Sequence, residues 1–283
     1  MLGGQGTRNA DRRPDTAPQQ PTALRQQGPR RLGQLGPPMT TARTGSGGLV
    51  AVAYRTLPWK PLLLAGAGLG LFAFVGDELP GIAGVVMLTL TSTGFAWGGA
   101  ALLAGYLATR RAVAPINATA VLVVATVVYY GLILAHGRRW RLGTLEDGSS
   151  SAWTGLASVG RATVFWLAAS VVAGITLGYL GAVVRRGTRI RASVAAGAAF
   201  GLLAGQGLEF LMIFRAWHAL DAFFLGRVLS AGASILLAAI GLTVLLTRRR
   251  AAKSWPIFVA TSALASLAGA LLWHYLTSFT TTL

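Results

Sequence analysis

Long apolar runs alternate with short polar interruptions along this chain. Seven such runs occupy residues 61–75, 81–109, 113–135, 163–184, 193–214, 228–247 and 256–272. A helix that crosses a hydrocarbon core of roughly 30 Å needs about 20 apolar residues, and the runs are of that order. The pattern predicts an all-α, polytopic transmembrane helix bundle of about seven spans. The run at 81–109 is 29 residues long, and Thr91-Ser92-Thr93-Gly94 interrupts it. It reads as one tilted helix or as a broken pair with a short first half, since broken helices are tolerated where they line a cavity or lie within protein.

The polar punctuation is equally regular. Asp77, Glu78 and Pro80 mark a turn after the first run, and Arg110-Arg111 ends the second. His136, Arg138, Arg139, Arg141, Glu146 and Asp147 form a polar loop. Arg185, Arg186, Arg189 and Arg191 separate the fourth and fifth runs, and Arg248, Arg249, Arg250 and Lys253 separate the last two. Residues 215–227 alternate aromatic and charged side chains, as a headgroup interface favours. Trp273-His274-Tyr275 reads as an interfacial anchor at the end of the seventh run.

The fifth run organises the rest. Ser193, Gly197, Gly201, Gly205 and Glu209 follow at four-residue steps, a ridge of small residues that ends in an acid. Each step drifts about 40° around a straight helix, so the ridge winds while neighbours share a face. Glu209 is the one carboxylate inside an apolar run, and Gln206 lies one turn before it.

Composition supports the membrane reading. The chain is 53% hydrophobic and 12% charged, with mean hydropathy +0.58; soluble domains carry about 25% charged residues. The net charge of +17 raises nucleic-acid binding. The basic residues instead cluster between apolar runs and in the N-terminal segment, which is a membrane-topology pattern, and nucleic-acid binding is not expected. With seven spans and a cytoplasmic N-terminus, ten basic residues fall in the inner loops and six on the outer side. That asymmetry predicts a multi-pass protein of the cytoplasmic membrane with the lipid bilayer as its partner. Residues 1–55 are rich in Gly, Pro, Gln and Arg and poor in large apolar residues, so they are expected to be a disordered basic tail preceding a transmembrane helical domain at 56–283. Its arginines could touch anionic headgroups. Met1 and Met39 are both plausible starts, and no cleaved signal peptide is expected.

Candidate chemistry is sparse. Cysteine is absent, which removes thiolate metal sites and cysteine nucleophiles. No GxSxG, HExxH or GxxxxGK[ST] motif occurs, so neither an enzyme nor a bound cofactor is expected. Glu209 and Gln206 are the candidate binding residues. A carboxylate within hydrocarbon must be protonated, paired or wet. Glu209 therefore reads as a proton or cation site, or as a shallow acid that reaches water or pairs with Arg215. His136, His218, Asp221 and His274 all fall on the predicted outer side, where with Glu209 they could form a metal or pH-sensing cluster. Their spacing matches no ligand motif. The glycines at 197, 201 and 205, and at 174 and 178, read first as close-packing positions; they also offer seams for a homo-oligomer or a membrane partner.

The run STGFAWGGAALLAGYLA, a basic turn and a span containing VVYYG are followed later by WLAASVVAGITLGYLGAVVRR and a span near whose end GLE occurs. In these segments the chain resembles an uncharacterised group of multi-spanning membrane proteins from high-GC actinobacteria. The matching positions are Gly94, Trp97, Gly105, Tyr129, Tyr130, Trp166, Gly174, Gly178 and Glu209. The resemblance implies an integral membrane fold and no mechanism. The residues themselves suggest a small-solute or ion permease, or a component of one; the alternative is a non-catalytic membrane scaffold or partner subunit.

Overall fold

The computed structural model describes residues 59–141, 150–213, 222–249 and 252–280. The tail at 1–55 and the loop residues Glu146, Asp147, Arg215, His218 and Asp221 lie outside them. The chain is helical, with no strand among the described residues. In order the helices are α1 (Trp59–Glu78), α2 (Gly81–Thr91), α3 (Gly94–Leu107), α4 (Ala114–His136), α5 (Arg138–Arg141), α6 (Ala152–Arg186), α7 (Arg189–Ile213), α8 (Ala222–Arg248) and α9 (Trp255–Thr280). Seven segments are long and apolar enough to cross a membrane, with α2 and α3 together supplying the second. The protein is a multi-pass integral membrane bundle.

The second run is broken. α2 stops at Thr91, Ser92 and Thr93 leave helical geometry, and α3 restarts at Gly94. Thr93 is extended, and its hydroxyl accepts from the Ala96 N–H, which is an N-cap. Other helix ends follow local chemistry too. Gly81 opens α2 with φ +66° directly after Pro80, and Gly137 ends α4 in the left-handed region with its N–H on the Ile133 carbonyl.

Three sequence boundaries shift. α6 starts at Ala152 rather than near 163 and is 35 residues long, about 50 Å at helical rise. It therefore projects beyond a hydrocarbon core of roughly 30 Å; there Gly155 meets Trp140 of α5. α8 takes in residues 222–227, which the charge pattern assigns to a loop. α9 continues to Thr280, so Trp273-His274-Tyr275 is not its end. Tyr275 is exposed and the His274 side chain is half-buried, whereas Trp273 points inward against Gly94 and Gly205.

Glycine contacts set the packing. Gly197, Gly201 and Gly205 of α7 meet Thr261, Ala265 and Gly269 of α9. Gly174 and Gly178 of α6 meet Thr119 and Ala118 of α4, and Gly105 of α3 lies against Gly178. Gly66 and Gly70 of α1 rest on the Val121 and Ala125 carbonyls of α4. Small residues let backbones approach where lipid supplies no hydrophobic drive between helices. Helices of the same chain meet both glycine ridges, at 197–205 and at 174–178, as the close-packing reading expects. α7 is the most buried span, at 56% against 17–44% for the others, and it contributes Ala195, Ala196, Ala199, Leu203 and Ala204 to the main core.

Candidate functional site

Alternating helices give the bundle two chemically distinct ends. Asp77, Glu78 and Glu209, the carboxylates among the described residues, share one end with Arg138, Arg139, Arg141, Arg161 and Arg227. Arg110, Arg111, Arg185, Arg186, Arg189, Arg191, Arg248, Arg249 and Lys253 share the other.

The candidate site lies at the acidic end, where the break in the second span faces α7 and α9. A helix that stops within a membrane frees N–H and C=O groups that must find partners. Here side chains supply them. The Gly94 N–H donates to Gln206 Oε1 at 2.7 Å. Trp97 Nε1 donates to the Thr91 carbonyl at 2.7 Å, and the Thr93 hydroxyl takes the Ala96 N–H. Thr89 of α2 donates to Ser230 of α8 at 2.8 Å, which ties the short first half-helix to the bundle.

Glu209, one turn beyond Gln206 on α7, lies 3.6 Å from His274 Nδ1 on α9. The Glu209 side chain is 17% exposed and the His274 side chain 46%, so the pair is reached from outside through the imidazole. The Trp273 ring covers Gly94 and Gly205 and seats the start of α3 against α7. Arg227 lies over the Phe210 ring, 4.8 Å from its centroid, beside the Glu209 turn.

A second polar group adjoins the break through α4. The Trp97 ring meets Tyr129 edge to face at 6.5 Å, and the Tyr129 hydroxyl donates to Asp77. Next to it Glu78 lies 3.7 Å from His136. The broken segment thus reaches Tyr129 through Trp97 and Gln206 through the Gly94 N–H.

The structure thus brings Gln206, Glu209 and His274 together and gives His136 to Glu78. His218 and Asp221 lie outside the described residues, as does Arg215, the alternative partner for Glu209. Among the described residues no three His, Asp or Glu side chains are placed to hold a metal ion. Sequence reasoning passed over Trp273, Tyr129, Asp77 and the Gly94 N–H as members of one site. The Thr91–Gly94 interruption was the available signal for the last.

The arrangement has two chemical capacities. The imidazole and carboxylate at the mouth can hold a proton or a cation. The first turn of α3 presents the positive end of a helix at membrane depth, with Gln206 as its present acceptor. Comparison with protein-family models, curated proteins and solved structures gives no match.

Proposed function

We propose that this chain is a permease of the cytoplasmic membrane for a small solute or an ion, or the membrane component of one, with Glu209 and Gln206 in its pathway. One observation carries the reading: the second span is interrupted at Ser92–Thr93, and the new helix start faces Gln206, one turn from the Glu209–His274 pair. Interrupted helices cost backbone hydrogen bonds and are kept where half-helix ends meet a solute. The scaffold alternative rested on the glycine ridges, and α9 and α4 already fill those.

Flux measured in proteoliposomes tests the proposal. Under an imposed pH gradient, the wild-type protein is expected to move protons or a co-ion, and Glu209→Gln to lose that flux while eluting as a folded species. Unchanged flux in the variant would remove Glu209 from the pathway. Absence of flux for every ion and solute tried with the wild type would leave the permease reading without support.

A further inference from the structure

At the basic end, arginine side chains gather around the α6–α7 turn. Arg185 Nη1 donates to the Tyr106 carbonyl at 3.0 Å, and Arg186 Nη2 donates to the Ala108 carbonyl just past α3. Arg111 Nη2 donates to the Arg186 carbonyl, and Arg249 Nη2 donates to the adjacent Gly187 carbonyl at 2.7 Å. Helix C-terminal carbonyls suit cations, but each carries only a partial charge.

Donors remain unmatched. Arg249 is only 8% exposed, and among the described residues its Nε and Nη1 have no acceptor; Arg186 Nη1 is likewise shielded and without one there. A guanidinium has five N–H donors, and a shielded charge without a counter-charge is strongly unfavourable. Among the described residues no carboxylate lies here: Asp77, Glu78 and Glu209 are all at the opposite end. Arg111 and Arg185 are exposed while Arg249 is buried, so the cluster grades from solvent to interior.

We infer that Arg111, Arg186 and Arg249 form a binding site for a phosphate group at the basic end of the bundle. The planar guanidinium fork matches phosphate oxygens two at a time. The two sources of such a group at this depth are an anionic phospholipid headgroup and free phosphate. This site is independent of the proposed permeation path.

The full-length protein tests the inference in two settings. Its thermal unfolding is followed in phosphatidylcholine bilayers with and without phosphatidylglycerol, and in detergent with and without inorganic phosphate. Stabilisation by phosphatidylglycerol alone identifies the headgroup as the source; stabilisation by inorganic phosphate as well identifies free phosphate; either supports the site. Arg249→Gln should weaken the effective affinity about tenfold or more, the size of one lost charge-assisted bond. Arg249→Lys, which keeps the charge without the fork, should lie between and guards against misfolding of the first variant. Arg191→Gln, an exposed change at the same end, should leave the response intact. The inference is overturned if neither phosphate source stabilises the wild type, or if Arg191→Gln and Arg249→Gln reduce the response equally, which would mark diffuse surface charge.

Discussion

The two ends of the bundle solve the same problem differently. At the basic end, helices meet backbone to backbone: Gly105 lies against Gly178, and Gly181 against Leu102 and Tyr106. Arginines then tie α3, α6 and α8 together through main-chain carbonyls. Toward the other end, glycines of α7 also meet the backbones of α8 and α9, but side chains hold the broken span: Gln206 to Gly94, Trp97 to Thr91, Thr89 to Ser230, with Glu209 beside His274 one turn on. Backbone contacts between glycines have one geometry, whereas side-chain contacts can re-form after a rotamer change. The Gly105–Gly178 contact is therefore fixed, whereas the side-chain contacts at the break in the second span can re-form.

Substitutions at glycine probe that contrast most strongly. Gly105→Val would drive its side chain into the Gly178 backbone and should cost about 3 kcal/mol or more, read as loss of the monodisperse folded species. Gly131→Val on α4, toward the acidic end, has open space around it and should stay within about 1 kcal/mol of wild type. Equal damage from both would erase the distinction.

Next come the partners of the broken span. Gln206→Leu leaves the Gly94 N–H without its acceptor and should lower stability by about 2 kcal/mol, seen as a lower unfolding temperature. Trp97→Phe strips the donor from the Thr91 carbonyl and should cost less, about 1 kcal/mol, because a carbonyl without a partner is better tolerated than an N–H. A reversed order would mean that packing of the indole, rather than its hydrogen bond, holds the break.

Much of this fold was legible because lipid imposes it. The seven apolar runs are the seven spans; polar Thr91-Ser92-Thr93 within a long run left one tilted helix or a broken pair open, and the structure has the pair. What the sequence concealed is non-local. The ridge at Gly197, Gly201 and Gly205 is plain on a helical net, but nothing in it names α9 as the helix that fills it. Trp273 looked like an interfacial anchor because Trp at a run's end usually is one; only the approach of Gly94 and Gly205 shows why it turns inward. Of the partners the sequence offered Glu209, Arg215 lies outside the described residues, and His274, about 65 residues on, is the one the structure sets beside it. The extension of α6 escaped because residues 152–162 lie outside the hydrocarbon and carry no continuous apolar signal.

The smallest expected change in stability is the most informative about function. His274 is nearly half exposed, and its Nδ1 lies 3.6 Å from Glu209 Oε1, so water competes for the pair and its contribution should be about 0.5 kcal/mol. Glu209→Gln preserves the shape of the side chain and should barely alter the unfolding temperature. If the acid lies in a permeation path, the same change should abolish flux, because an amide cannot carry the charge or release the proton that a carboxylate does. A functional loss with little cost in stability would place the work of the acidic end in its chemistry. A large destabilisation with retained flux would make Glu209 a structural tie between α7 and α9, and the acidic end would then resemble the basic one in role.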